Sequence, residues 1–138
     1  NVTLDGILNY YRMQALDAGI AFECGASIPE DCPIPDPLLS VVVGNGLENA
    51  LDGAKTASDG QGQIIFKARV INHELVISID NTFSGELLLH HGQYLSTKSG
   101  GSGLGMSNIK KAAESYGGHV TFSHDASDWF HLSAVIPL

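Results

Sequence analysis

Apolar residues recur at helical spacing over residues 3–18, where Leu4, Leu8, Tyr11 and Ala15 share a face and Gly19 supplies a stop. Residues 20–28 (IAFECGASI) read as a short strand. PEDCPIPDP is a proline-rich loop that ends in a helix-start signal, with Asp36 as cap and Pro37 in the first turn. The spacing predicts one helix from about 37 to 57. After a polar loop, strands at 63–71 and 74–81 join at Asn72-His73 as a hairpin. Residues 82–102 are rich in Gly, Ser and Thr and too long for a simple connection. A helix over 103–116 stops at Gly117-Gly118, and strands near 119–124 and 129–136 follow. Strands grouped in pairs predict a two-layer α/β sandwich, a mixed and mostly antiparallel sheet with helices on one face.

The 138 residues suit a single domain, 1–138, able to bury one core without staples. With 43% hydrophobic and 16% charged residues, the composition is that of an ordinary globular domain. No apolar run approaches the ~20 residues of a membrane span, and no signal peptide is visible. A start at Asn1 rather than Met suggests a fragment. The net charge of −8 and only seven scattered Lys and Arg speak against a nucleic-acid surface. Any bound nucleotide must then be held by backbone NH groups, a metal ion and one or two placed cations. Cys24 and Cys32 form no CxxC pair and have no histidine at zinc-finger spacing, so two reduced thiols are expected.

Three segments carry candidate chemistry. The first is VVVGNGLENALDGA, in the predicted helix 37–57. Val43, Leu47, Ala50, Leu51 and Ala54 fall on one side, with Asn45, Glu48, Asn49 and Asp52 on the other. A solvated helix face normally carries Lys, Arg, Glu and Gln; this one has two amides, two acids and no cation before Lys55. Gly44, Gly46 and Gly53 each cost up to ~1 kcal/mol of helix propensity against Ala, a conflict of the kind that marks functional sites. Mg²⁺ takes oxygen ligands, keeps several waters and needs one or two protein groups beside phosphate oxygens. The Asn49 carbonyl suits such a site, with Asn45 one turn away and Glu48 or Asp52 open to outer-shell water. Taken alone, the stripe fits a merely solvated face equally well.

The second segment is STKSGGSGLGMSNI, residues 96–109. Gly100, Gly101, Gly103 and Gly105 crowd the entry to a helix, whose free NH groups and partial positive charge bind phosphate. Lys98 adds a point charge, and Ser96, Thr97, Ser99 and Ser102 add hydroxyls. The pattern is neither a Walker loop nor a dinucleotide fingerprint. The third is the strand end LVISIDNTF. Alternation puts Asp80 with Val76 and Ser78, and Asn81 with the apolar Leu75, Ile77 and Ile79. A buried amide there needs a partner, and its donor and acceptor suit an adenine edge; an Asn that caps the following turn is the plain alternative.

In combination these segments resemble the GHKL ATPase superfamily of gyrase, the ninety-kilodalton heat-shock chaperone, histidine kinases and the MutL repair protein. GNGLENALDGA resembles its N box, IDNTFSG its first glycine box and STKSGGSGLGMSNIKKAAESYGG its second, with an ATP lid at about 82–102 between them. FHLSAVIPL resembles the last strand of kinase catalytic domains. The likeness is nearest to the agr-type quorum-sensing receptor kinases, which share an acid before the second N-box Asn, an Asn at the strand end and a similar STK-glycine segment. It covers nearly the whole chain and implies the Bergerat ATP-binding fold. It also implies that Asn49 is the magnesium ligand, with Asn45 one turn before it. Asn81 or, by simple alignment, Asp80 would read adenine. Lys98, Gly101, Gly103, Leu104 and Gly105 would hold the phosphates.

Two departures matter. Thr82 and Ser84 replace the usual glycines of the first box. Asn45 stands where hydrolysing members carry a glutamate base, which points away from hydrolysis and toward γ-phosphoryl transfer to an imidazole. Asn45, Glu48 and Lys98 are then the candidate catalytic residues, with ATP and Mg²⁺ as cofactors. None of His73, His90, His91, His119, His124 and His131 lies on a long helix beside an acid, so the phosphoacceptor is expected upstream of Asn1, on a dimerisation helix. The resemblance further implies a homodimeric full-length kinase that signals to a response regulator, with this part in the cytoplasm beneath a membrane-bound sensor. Two alternatives stay open: a docking module that has lost nucleotide, and a serine kinase of the anti-sigma-factor type, which needs a carboxylate to accept the hydroxyl proton and has Glu48 as the only nearby candidate.

Overall fold

The computed structural model describes residues 1–57, 60–84, 88–90, 93–95, 104–125 and 127–138. In chain order the elements are α1 (Val2–Asp17), β1 (Ala21–Ser27), α2 (Asp36–Leu39), a π-helical turn (Ser40–Gly44) and α3 (Asn45–Lys55). They continue with β2 (Gln63–Ile71), β3 (Glu74–Thr82), β4 (Leu88–His90), β5 (Gln93–Leu95), α4 (Leu104–Ser115), β6 (His119–His124) and β7 (Trp129–Pro137).

Five strands form one sheet in the order β1-β2-β3-β7-β6. β1 runs parallel to β2, and the other pairs are antiparallel. The β2–β3 turn is tight because Asn72 and His73 both take positive φ, at 51° and 63°, the geometry of a two-residue hairpin. One sheet face is apolar: Ile64, Phe66 and Ala68 of β2, Leu75, Ile77 and Ile79 of β3, and Leu132, Ala134 and Ile136 of β7 are buried there. The helices cover that face, with α3 on β2 and β3, α4 on β6 and β7, and α1 beside β1 and α3. This is the expected two-layer sandwich. Gly19 and Gly117, at φ 72° and 79°, end α1 and α4 as expected. Cys24 and Cys32 are free, half-buried thiols.

The structure corrects three expectations. Residues 36–55 are not one regular helix, because a π turn separates α2 from α3. The buried pairs Leu38-Leu39, Val42-Val43, Gly46-Leu47 and Ala50-Leu51 repeat every four residues. A regular helix with 3.6 residues per turn would rotate that stripe by roughly 40° at each repeat. The wider turn absorbs the drift and keeps all four pairs buried. Asp36 does not cap α2: Pro35 holds the cap position and makes no side-chain hydrogen bond, and Asp36 sits in the first turn. Within the expected loop 82–102, Leu88–His90 and Gln93–Leu95 pair as a small antiparallel hairpin, and β3 itself runs on to Thr82.

Candidate functional site

The polar stripe of α3 is built by the residues opposite it. Leu47, Ala50, Leu51 and Ala54 are buried against the sheet, which turns Asn45, Glu48, Asn49 and Asp52 outward to half-buried positions. Gly46 permits the close seat, since a Cβ there would lie 2.6 Å from Ile79 Cδ1. Part of the helix propensity lost to glycine is therefore explained by packing rather than by a ligand. Oxygen donors on one helix face, without a cation among them, form a donor set that fits a hard ion such as Mg²⁺. Among the described residues no group of three or more His, Cys, Asp and Glu is gathered to hold an ion.

Tyr11 of α1 reaches this stripe. Burial, followed by its hydrogen bond to the Glu48 carboxylate, holds the Tyr11 hydroxyl well above the usual phenol range. Tyr11 thus lies beside Glu48, a neighbour that helical spacing within α3 could not reveal.

At the sheet end, Asn81 is 2% exposed and is the one buried polar side chain among the described residues. Its cross-strand neighbours are Ile64 and Phe130, both buried. Its Nδ2 donates to the Thr82 carbonyl at 2.9 Å. The last turn of α3 lies directly over it, and a Cβ on Gly53 would collide with the Asn81 amide. Asn81 and the α3 stripe therefore belong to one layer.

Asp80 points the other way. On the open face its Oδ1 meets His131 Nδ1 at 2.8 Å, while His131 Nε2 meets Asp125 Oδ2 at 2.9 Å. The bonds to Asp125 and then Asp80 raise the His131 pKa, and the His131 bond holds the Asp125 carboxyl below its ordinary value. The two candidates for the adenine reader thus stand on opposite faces of the sheet, and only Asn81 lies on the face covered by α3, the helix that carries Asn49.

The exit of β3 is tied down by hydrogen bonds between residues far apart along the chain. Thr82 Oγ1 accepts from the Gln63 amide at 2.9 Å, and Phe83 N donates to the Asp128 carbonyl at 3.0 Å. Ser84 N donates to Thr56 Oγ1 at 2.9 Å, and the same hydroxyl donates to the Gly53 carbonyl at 2.6 Å. Thr56 thereby joins the end of α3 to the segment after β3. Leu104 and Gly105 open α4. Lys98, Gly101 and Gly103 lie outside the described residues, as do Ser96, Thr97, Ser99, Gly100, Ser102 and His91.

A family model described as the GHKL domain matches residues 37–137. No curated protein sequence matches the chain. Among solved structures, the catalytic domain of the histidine kinase ThkA in a nucleotide-free form superposes with a TM-score of 0.75 at 18% identity, over 99% of this chain and 91% of that one. The mycobacterial sensor histidine kinase MprB gives 0.67 at 22%, over 98% and 93%. Full-length ShkA in complex with AMPPNP gives 0.70 at 16%, over 98% of this chain and 29% of that one. At these identities the likeness is one of fold.

Proposed function

This chain belongs to the GHKL family, and from that premise we propose that it binds Mg-ATP as the catalytic domain of a sensor histidine kinase in two-component signalling. The observation that carries the reading is the pairing of the α3 stripe with Asn81. Amides and acids line one helix face, and the same helix ends over the one buried polar side chain among the described residues. A buried amide with donor and acceptor suits the adenine edge. The Asn49 carbonyl would hold the ion, with Asn45 one turn away and Glu48 or Asp52 orienting its water. Lys98, Gly101, Gly103, Leu104 and Gly105 are assigned to the phosphates by their match to the second glycine box.

Bound Mg-ATP supplies the transferable γ-phosphoryl group and the neutralisation of its charge. The protein positions and excludes water. Asn45 in place of a glutamate base leaves water unactivated, which favours an imidazole acceptor over hydrolysis. Of the histidines in the described residues, His73 lies in a turn and His90, His119, His124 and His131 lie in strands. The acceptor is therefore assigned to a dimerisation helix of the same kinase outside residues 1–138, in a homodimer whose phosphoryl group passes on to a response regulator. The order of acid and Asn in the N box and Asn81, one residue before the end of β3, support the narrower likeness to agr-type quorum-sensing receptor kinases. No helix among the described residues is long and apolar enough to cross a membrane; a cytoplasmic position beneath a membrane-bound sensor is part of the same proposal.

A second reading, a docking module without nucleotide, is favoured by one observation. Thr82, which replaces a box glycine, accepts through its side-chain hydroxyl from the Gln63 amide and so ties the end of β3 to β2. Calorimetric titration with a non-hydrolysable ATP analogue separates the two. Magnesium-dependent saturable binding, lost in Asn81→Ala and in Gly103→Val, supports the kinase. A folded protein that binds nothing at millimolar nucleotide supports the docking module.

A further inference from the structure

The sheet face that the helices leave open carries a charge pattern of its own. On β2 the alternation that buries Phe66 and Ala68 turns Lys67 and Arg69 outward, and both are exposed. Their cross-strand neighbours are short: Gly25 and Ser78 flank Lys67, and Ser27 and Val76 flank Arg69. Long side chains among short ones shape a groove of about 400 Å³, whose lining includes all six residues. The chain has a net charge of −8 and only seven Lys and Arg, and two of the seven meet here. Among the described residues no ion pair joins either one to a carboxylate. The acids of this face lie in the register rows beyond: Glu23 and Asp80 align with Ile65, and Glu74 with Ile71. The cationic window is therefore two rows wide and closed by negative charge in both directions along the strand.

We infer that this groove is a docking surface for a short acidic segment of a partner protein, an extended chain with carboxylates at alternate positions. Residues two apart on a strand stand roughly 6.5 Å apart and project to the same side. An acid-x-acid segment laid along β2 thus sets one carboxylate at Lys67 and the other at Arg69. The guanidinium takes its carboxylate in a two-bond fork, and the ammonium meets the other as a point charge. Gly25, Ser27 and Ser78 leave room for the partner's backbone, and the two hydroxyls offer it hydrogen bonds. A long polyanion fits poorly, because Glu23, Asp80 and Glu74 repel charges beyond the second. A second copy of this chain fits poorly too: no two of its 15 Asp and Glu stand two residues apart in sequence. The groove lies on the sheet face opposite buried Asn81 and α3, so it can be filled without touching them.

The probe is a fluorescein-labelled peptide, Gly-Thr-Glu-Thr-Glu-Thr-Gly, followed by fluorescence polarisation at low salt. It is titrated with wild type, Lys67→Gln, Arg69→Gln and the double variant. One control peptide carries Gln for both Glu, and another places the two Glu side by side. The expected result is saturable binding by wild type that falls about threefold in each single variant and about tenfold in the double one, the scale of exposed ion pairs. Binding should weaken as salt is added. The Gln peptide should not bind, and the side-by-side peptide should bind less well than the alternating one. Absence of binding by wild type, or equal binding by wild type and the double variant, overturns the inference. Equal affinity for the alternating and side-by-side peptides also overturns it, since charge without spacing would then suffice. Displacement by citrate or inorganic phosphate as effective as that by unlabelled peptide assigns the groove to a free anion. A concentration-dependent dimer that is lost in the double variant assigns it to a second copy. Either of these two results removes the protein partner.

Discussion

Asp80 and Asn81 are neighbours in one strand, yet they occupy opposite chemical worlds. On the helix-covered face Asn81 is neutral, buried and held by a single backbone carbonyl under Gly53. On the open face Asp80 is ionisable, partly exposed, and joined through His131 to Asp125. Burying an isolated charge is far more costly than burying an amide that has a partner. The strand therefore turns its amide inward and leaves its carboxylate where water helps to carry the charge. The open face holds the β3 end to the turn between β6 and β7.

Substitutions on the two faces should separate accordingly. The largest effect is expected from Gly53→Val, whose side chain would drive into the Asn81 amide. Overpacking of that kind costs about 3 kcal/mol at its upper range, readable by urea denaturation, and nucleotide affinity should fall with it. Asn81→Ala should cost about 1–2 kcal/mol, because the Thr82 carbonyl loses its donor. Its effect on nucleotide binding should exceed its effect on stability; the opposite order would make Asn81 a structural residue. His131→Gln, on the open face, should change stability least and leave nucleotide affinity unaltered.

The open face should instead announce itself through pH. The folded pKa of His131 is raised above 6.5, so its stabilising contribution is complete below that value and is lost as pH rises through the folded pKa. The folded pKa of Asp125 is lowered from 3.8, so its contribution is complete above that value and is lost as pH falls through the folded pKa. The stability difference between wild type and His131→Gln should therefore be widest between pH 3.8 and 6.5 and narrow on either side. A difference that does not vary with pH would show that the imidazole is held by shape alone.

Much of the covered face could be read from the chain. Strand alternation alone turned Asn81 inward, and helical periodicity gathered Asn45, Glu48, Asn49 and Asp52, since both rest on local geometry. The partners that fix these residues could not be read. His131 meets Asp80 across a separation of 51 residues, through a β3–β7 register that only the assembled sheet determines. Tyr11 reaches Glu48, and Thr56 reaches Ser84, by tertiary packing in the same way. The π turn escaped because Ser40–Gly44 is compatible with a regular helix until the assembled core demands a four-residue repeat.

That turn also bears on how the gene can change length. Upstream of it the chain is anchored by Leu38 and Leu39, and downstream by Leu47 and Leu51. Deleting one residue within Ser40–Gly44 would turn its i→i+5 bonds into i→i+4 bonds and restore a regular helix, with the two anchors kept in nearly the same relative orientation. The same deletion inside Asn45–Lys55 has no wide turn to absorb it and would swing part of the polar stripe by about 100°. The irregular turn is thus the place where this helix should best tolerate a single-codon deletion, and substitution at exposed Ser40 should pass almost unnoticed.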